Sequence, residues 1–198
     1  PHFPASVVAG NVETSSCITN ALFGALGVMA GSQPTMNNFT FGNATYQYYE
    51  TISGGSGAGP VFNSSGEVVG GFKGTDVVQT HMTNSRLTDP EVLEFRFPVR
   101  LLSYSLREGS GGQGKFAGGA GGIRRIDFLE PMTAGILSNG RTYPAFGLAG
   151  GLAGSPGVNR VVKANGEVLI LGHIDQVQMQ VGDVFEIHTP GGGAYLGS

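Results

Sequence analysis

Glycine makes up 35 of the 198 residues, and its distribution constrains the fold more than any other feature of this sequence. The glycines are not periodic, which excludes a collagen-like triple helix. They form four clusters, "GGSGAG" at 54–59, "GGQGKFAGGAGG" at 111–122, "GLAGGLAGSPG" at 147–157 and "GGG" at 191–193. Because glycine alone reaches positive φ without strain, we interpret the clusters as turns between strands.

Apolar residues recur at helical spacing near the start of the chain and predict one long N-terminal helix. Its apolar face consists of Ile18, Ala21, Leu22, Ala25, Leu26 and Met29. Asn11 or Thr14 would cap its start, Glu13 suits its first turn, and Gly31 would end it. A second, shorter helix is predicted to begin near Asp76.

From Phe95 onward the pattern has period two, which is typical of strands. The apolar phase flips between Leu101 and Leu102, and this predicts a β-bulge. Further strands are predicted in "IRRIDFLE" and "TAGILS". The segment "RVVKANGEVLIL" predicts a hairpin with a type I′ turn at Asn165-Gly166, and "DQVQMQVGDVFEIH" predicts another strand pair.

These patterns lack a regular alternation of strands and helices, so the predicted fold class is α+β. The β-rich C-terminal half would form an antiparallel sandwich or a barrel-like sheet. We expect residues 1–94 to be the helix-bearing part and residues 95–198 the β-rich part, and we expect the two parts to form one continuous folding unit.

Charged residues are scarce, 13% of the chain, and the net charge is −3. No basic patch is present, so a nucleic-acid partner is not expected. No apolar run approaches the roughly 20 residues of a membrane-spanning helix, so no membrane partner is expected. Cys17 is the single cysteine, and no secretory signal opens the sequence, so we expect a cytoplasmic protein. Because the chain begins with Pro1, we expect it to be a fragment of a longer one.

The sequence gives little support for a nucleotide-binding site, a metal site or a catalytic triad. Residues 109–114 read as G-x-G-x-x-G, but glycine and a strand follow where a dinucleotide site needs a helix, and no P-loop exists. The four histidines are far apart in sequence, so no metal site is expected within this chain. A triad of Ser56, His81 and Asp89 would need the fold to bring them together, and no nucleophile-elbow motif supports it.

The stretch "THMTNSRLTDPEVLEFRFP" at 80–98 concentrates hydrogen-bonding side chains in this charge-poor chain. Arg86 supplies a planar fork that can hold a carboxylate. In the alternative interpretation these residues are structural: Thr88 caps a short helix with Pro90 in its first turn, and His81 is a core histidine.

A second candidate segment covers residues 37–60. Tyr46, Tyr48 and Glu50 would share one face of a strand, with Tyr49 and Thr51 on the other, and flexible glycines follow. A carboxylate at a strand end beside such a loop is typical of a ligand site. The alternative is an edge strand with a solvated Glu50.

Several stretches together resemble the C-terminal part of the hydantoinase B/5-oxoprolinase family. The resemblance runs in order through essentially the whole chain. It is carried by "VVAGNVETSSCITNALFGALG", "TMNNFTFG", "YYETISGGSGAGP", "THMTNSRLTDPEVLEFRFPVRL", "REGSGGQGKFAGGAGGIRR", "FLEPMTAGILS", "FGLAGGLAGSPGVNR" and "GDVFEIHTPGGGAY".

The resemblance implies ATP-dependent opening of a ring C–N bond in a small cyclic amide, as in 5-oxoprolinases and N-methylhydantoinases. It implies that a hydantoinase A-type domain or subunit binds ATP and Mg²⁺ and phosphorylates the substrate, and that metal ligands lie in the upstream half of the B region. The fragment alone would then be inactive, and the parent protein is expected to be an oligomer. The alternatives are a non-catalytic assembly module and part of a ketone carboxylase subunit.

Residues within the matching motifs provide the candidate site. In the catalytic set, Glu50 would orient water, Arg86 would clamp an anionic group, and His81 and Asn84 would donate hydrogen bonds, with Asp89 beside them. The predicted substrate-binding residues come from the other segment, and they are Asn37, Asn38, Tyr49, Gly55 and Gly57.

Overall fold

A computed structural model describes residues 2, 13–81 and 83–197. That part of the chain contains two helices and eleven strands. The helices are α1 (Ser15–Ala25) and α2 (Pro90–Arg96). The strands are β1 (Asn38–Gly42), β2 (Gln47–Thr51), β3 (Gly59–Phe62), β4 (Val68–Phe72), β5 (Val99–Arg107), β6 (Gly121–Phe128), β7 (Met132–Leu137), β8 (Val158–Val162), β9 (Val168–Leu171), β10 (Ile174–Met179) and β11 (Val184–His188). Neither helix has the length and apolar character needed to cross a membrane.

Two antiparallel sheets pack across one apolar core. The first has the strand order β10-β7-β1-β2, the second β5-β6-β11-β8-β9, and a separate hairpin pairs β3 with β4. The Phe39 ring of the first sheet lies 4.7 Å from that of Phe185 in the second, and Phe41 lies 5.5 Å from Phe128. The β-rich, antiparallel architecture is confirmed, and the sheets do not close into a barrel. The first sheet draws strands from both sides of the 94/95 boundary.

Two local features of the second sheet follow from the sequence pattern. The register between β5 and β6 shifts between Leu101 and Ser103, which confirms the predicted bulge. The hairpin β8–β9 also forms. Its turn is not type I′, because positive φ occurs at Gly166 (88°) and not at Asn165. The Gly166 N–H donates to the carbonyl of Lys163, and Gly166 takes the left-handed position after the turn.

The predicted strand pair around Gly182 is wrong. Gly182 does sit in a tight turn, with φ of 84°, but the flanking strands enter different sheets. Strand β10 pairs with β7, whereas β11 pairs with β6 and β8. The chain therefore crosses from one layer of the sandwich to the other at this turn.

Helix α1 is short, with 11 residues, so the long helix is not confirmed. Thr14 occupies the N-cap position without a side-chain cap, and Asn11 lies outside the described residues. Gly27, not Gly31, terminates the helix after the C-cap residue Leu26. Gly27 has φ of 67°, its N–H donates to the Gly24 carbonyl, and the Val28 N–H donates to the Phe23 carbonyl. This is a Schellman ending, which needs the left-handed residue that glycine supplies.

The apolar face of α1 points away from the core. Ile18, Leu22 and Leu26 are 55%, 57% and 71% exposed, whereas Ser16 and Asn20 are buried. Asn20 explains the orientation, because its Nδ2 donates to the Ser32 carbonyl and its Oδ1 accepts from the Ser32 N–H. The helical spacing of apolar residues located the helix correctly, but the apolar face that it predicts to be buried is the exposed one.

Helix α2 lies inside the polar segment, and no helix begins at Asp76, which is in a turn. The N-cap is Asp89, not Thr88: its Oδ1 accepts from the Glu91 N–H at 2.9 Å, and Pro90 occupies the first turn. The strand predicted from Phe95 begins only at Val99, and the Phe95 side chain is 91% exposed.

Most of the clustered glycines do not form turns. Among the glycines of the four clusters only Gly150 has positive φ. Residues 191–195 instead run through the centre of a glycine bundle. They form backbone hydrogen bonds with six segments, which are Gly31, Ala58, Gly112, residues 116–119, Leu148 and residues 152–155. A Cβ on Gly192 would lie 1.9 Å from the Ser56 carbonyl oxygen, and one on Gly191 would lie 1.9 Å from that of Ser110. Glycine is required here for backbone-to-backbone packing.

A buried carboxylate in β11 predicts that the folded state loses stability at acidic pH. Glu186 accepts from Arg125 (3.1 Å), Arg160 (2.6 Å) and His188. Burial alone would raise its pKa, but the hydrogen bonds from His188 and Arg160 hold the pKa below its ordinary value of 4.5. Its stabilisation is therefore present above pH 4.5 and is lost as pH falls through the lowered folded-state pKa.

We expect Glu186→Gln to flatten this dependence. The free energy of unfolding of the parent protein should fall less steeply below pH 4.5 in the variant than in the wild type, as measured by denaturation at a series of pH values. Glu167→Gln, at an exposed hairpin position, is the matched control and should leave the slope unchanged. Equal slopes for Glu186→Gln and the wild type would contradict the assignment.

Candidate functional site

A buried ion pair joins the two sheets. Arg124 in β6 donates from Nε to Glu50 Oε1 at 2.7 Å and from Nη2 to Oε2 at 3.0 Å, with side-chain exposures of 1% and 4%. Strand alternation places both side chains inward: Arg124 shares the face of Ile126 and Phe128 in β6, and Glu50 shares that of Tyr48 in β2. The bidentate contact fixes the plane of the guanidinium.

Aromatic side chains enclose the pair. The Tyr48 hydroxyl donates to Glu50 Oε2 at 2.8 Å and is also hydrogen-bonded to Thr88 Oγ1 at 2.9 Å. Burial and the Glu50 charge raise the pKa of Tyr48 to about 12, so this hydroxyl stays protonated at neutral pH. The Tyr104 ring lies 5.7 Å from the Arg124 guanidinium, and its hydroxyl is 3.3 Å from Ser53 Oγ.

Arg124 forms part of the wall of a cleft of about 620 Å³. The polar segment that the sequence singled out forms another wall, through Asn84, Arg86 and Asp89. Three of the five predicted catalytic residues therefore face one cavity, together with Gln79 and Tyr104.

The other two predicted catalytic residues take different positions. Glu50 lies behind Arg124 and does not line the cleft among the described residues. His81 has φ of 67° and packs against α1, where its Nε2 is 2.9 Å from Asn20 Oδ1 and its ring meets Phe23 edge-on. Burial lowers the pKa of His81. Because Asn20 Oδ1 only accepts, the His81 Nε2 carries a proton, and this hydrogen bond anchors the polar segment to α1.

The predicted substrate-binding residues do not gather at this cleft. Asn37 is buried, accepts from Arg141 Nη1 at 2.6 Å and donates to the Ile52 carbonyl at 2.7 Å. Asn38 accepts from the Tyr49 hydroxyl, and these two line a separate open groove of about 1040 Å³ on the first sheet. Gly55 and Gly57 belong to the glycine bundle, where added Cβ atoms would meet backbone carbonyl oxygens at 1.9 Å.

Sequence reasoning missed Arg124 and Gln79. A signal for Arg124 was present, because the period-two pattern of "IRRIDF" places Arg124 on the same face as the apolar Ile126 and Phe128. An arginine on a core face needs a buried partner, and that observation alone marks the position. Gln79 has no comparable signal, since it precedes the polar segment in an irregular loop.

The model of the family described as hydantoinase B/oxoprolinase matches residues 1–197. The chain belongs to this family. It is 45% identical over 195 residues to the 5-oxoprolinase of Dictyostelium discoideum and 44% identical to 5-oxoprolinase 1 of Arabidopsis thaliana. Each match covers 98% of this chain but only 15% of the relative, so the chain spans less than a sixth of the length of these relatives.

Solved structures share the fold of this family member. The ATP-dependent caprolactamase from Pseudomonas jessenii superimposes with a TM-score of 0.66 at 23% identity, over 86% of this chain and 30% of that one. The nucleotide-free structure of acetone carboxylase gives the same TM-score at 17% identity, over 85% of this chain and 26% of that one. At these identities the likeness concerns the fold alone.

No three His, Cys, Asp or Glu side chains among the described residues are grouped so as to hold a metal ion. The described part of the chain therefore does not fit a protein-bound metal ion.

Proposed function

We propose that this chain supplies one wall of the substrate site in an ATP-dependent cyclic-amide hydrolase of the 5-oxoprolinase type. The observation that carries the proposal is the cleft in which Arg124, held rigidly by Glu50, faces the polar segment with Asn84 and Arg86. The 5-oxoprolinases among the relatives support the substrate class, at 45% and 44% identity over nearly the whole chain.

The chemistry explains why a fixed cation is useful. A lactam resists hydrolysis because the nitrogen lone pair stabilises its carbonyl. Phosphorylation of the amide oxygen by ATP, which we assign to a hydantoinase A-type polypeptide with its Mg²⁺, makes the carbonyl carbon electrophilic. Arg124 in its buried position is a preorganised donor for charge that develops on oxygen, and such donors contribute about 10²–10³-fold to kcat.

The individual roles follow from position. Arg86 is exposed at the cleft and is placed to clamp a substrate carboxylate, with Asn84 beside it as a donor. One oxygen of Asp89 is engaged at the start of α2. Both oxygens of Glu50 are engaged by Arg124 and Tyr48. We therefore assign Glu50 the task of positioning Arg124 in place of orienting water, and His81 the task of anchoring the segment.

Arg86→Ala in the full-length protein tests the clamp. We expect kcat/KM for 5-oxoproline with ATP to fall about 10–100-fold, because a charge-assisted hydrogen bond is worth about 1.5–3 kcal/mol. The same variant should lose little with 2-pyrrolidinone, which lacks the carboxylate. Arg100→Ala, at an exposed position of β5, is the control and should have little effect on either substrate. A loss below about threefold with 5-oxoproline contradicts the role.

A second candidate function is an assembly module without catalytic residues. The apolar ridge of α1, formed by Ile18, Leu22 and Leu26, favours it, because three large exposed side chains on one helix face are typical of an interface. Tight binding to the A-type polypeptide, with turnover insensitive to Arg86 and Arg124, would favour the module over the substrate wall.

A further inference from the structure

The part of the polar segment that carries Asn84 and Arg86 has few fixed points on the rest of the protein. No backbone hydrogen bond joins residues 83–88 to another part of the described chain. Among these six residues, only Thr88 makes a side-chain hydrogen bond to a described residue outside the segment. Its Oγ1 is 2.9 Å from the Tyr48 hydroxyl, and we call this hydrogen bond the tether.

The direction of the tether follows from its neighbours. The Tyr48 hydroxyl has one proton, so it can donate only one of its two hydrogen bonds. A carboxylate paired with arginine only accepts, and Tyr48 therefore donates to Glu50 Oε2 at 2.8 Å. Thr88 must then donate to the Tyr48 oxygen. The same Glu50 oxygen accepts from Arg124 Nη2 at 3.0 Å, so an ordered chain of hydrogen bonds runs from Thr88 to Arg124.

This chain connects two walls of the cleft. Arg124 belongs to one wall, and Thr88 and Arg86 belong to the other. Arg86 is two residues from Thr88, and two residues span at most about 7 Å, so the tether restricts where the Arg86 backbone can lie. Leu87 also packs against the core, but apolar packing is not directional, whereas a hydrogen bond is.

We propose that Tyr48 and Thr88 are positioning residues that hold Arg86 at a fixed place across the cleft from Arg124. This inference rests on the proposed function, in which Arg86 clamps a substrate carboxylate, and it adds the residues on which the clamp depends. Neither side chain takes part in bond cleavage. Without the tether, Arg86 is in place in a smaller fraction of molecules, and the apparent affinity for the carboxylate falls by that fraction.

Thr88→Val tests the tether in the full-length protein with its A-type polypeptide and ATP. Valine has the shape of threonine but donates no hydrogen bond, and it leaves the bond from Tyr48 to Glu50 intact. We expect KM for 5-oxoproline to rise about 3–10-fold, the effect of one neutral hydrogen bond, with kcat within about twofold of the wild type. KM for 2-pyrrolidinone, which lacks the carboxylate, should not change.

Matched variants separate the tether from a general loss of stability. Thr88→Ser keeps the hydroxyl and should retain the wild-type KM. Tyr48→Phe removes the acceptor and should raise KM for 5-oxoproline as Thr88→Val does. Tyr46→Phe is the control, because the Tyr46 hydroxyl has no hydrogen-bond partner in the described part of the chain, and it should have no effect. In an Arg86→Ala background, Thr88→Val should add no further loss.

Trypsin cleavage after Arg86, which is exposed, gives a readout that needs no activity. We expect cleavage in Thr88→Val to be about 3–10-fold faster than in the wild type, since cleavage follows the population of the open segment. Unchanged cleavage and KM would overturn the inference, and so would an equal rise in KM for both lactams. Faster cleavage in a parent protein that opens no cyclic amide would overturn the proposed function and support the tether alone.

Discussion

Arg124→Met is expected to cost about 3–5 kcal/mol of stability, because it leaves Glu50 charged and buried without its cation. Once Arg124 is gone, Glu50 keeps only the Tyr48 hydroxyl as a hydrogen-bond partner among the described residues, and that hydrogen bond cannot replace a bidentate ion pair. Hydrogen exchange of the β2 and β6 amides in the full-length protein would report the loss as a lower free energy of opening.

The double variant Glu50→Leu/Arg124→Met separates stability from function. Replacing a buried ion pair by apolar side chains of similar size is often neutral, so most of the lost stability should return. ATP-coupled ring opening should nevertheless stay at least about 100-fold below the wild type, because the preorganised donor is absent. Recovery of turnover together with stability would show that the pair is only structural.

The neighbouring Arg125 provides a matched control. It occupies the same strand but faces outward, with its side chain 40% exposed, and it shares Glu186 with Arg160 and His188. Arg125→Met should therefore cost no more than about 1 kcal/mol and leave turnover unchanged. A loss for Arg124→Met no larger than that for Arg125→Met would contradict the buried-pair account.

Gly192→Ala should prevent folding of the glycine bundle. Its Cβ would lie 1.9 Å from the Ser56 carbonyl oxygen and 2.3 Å from the carbonyl carbon, and both are backbone atoms that cannot move aside. We expect a loss of more than about 4 kcal/mol, which is the range of severe core disruptions. The measurement is soluble yield and thermal unfolding of the full-length protein.

Gly70→Ala isolates the effect of packing from that of losing a glycine. A Cβ at Gly70 would meet no heavy atom within 4 Å, and φ at this residue is not positive. The substitution should be neutral or stabilise by about 0.4–1 kcal/mol through the unfolded state. If Gly192→Ala were as well tolerated as Gly70→Ala, the bundle would not be as tightly packed as described.

Local sequence patterns predicted where strands and turns occur better than they predicted which strands pair with one another. The phase change at Leu101 locates a bulge because alternation is a property of one strand. The partner of Arg124 could not be found this way, since Glu50 lies 74 residues earlier and only strand pairing brings the two together. The pattern around Gly182 likewise shows a turn but not that β10 and β11 enter different sheets.

The errors in α1 and the glycine clusters have a related physical cause. Helical spacing identifies an amphipathic helix, but which face is buried depended on Asn20, whose side chain satisfies the Ser32 backbone and meets His81. Glycine permits turns and also permits close backbone contact, and sequence does not distinguish these uses. For the candidate site, the polar segment was visible as a composition anomaly, whereas only the structure shows that Gln79 lines the cleft.

The central position of residues 191–195 also determines when the glycine bundle can form during translation. The six segments that hydrogen-bond to this stretch all precede it in the chain, from Gly31 to residues 152–155. During translation those segments leave the ribosome before the strand that fills the space between them exists. Their carbonyl and amide groups must remain solvated or transiently paired until residue 195 is available, so closure of this layer is a late, non-local event.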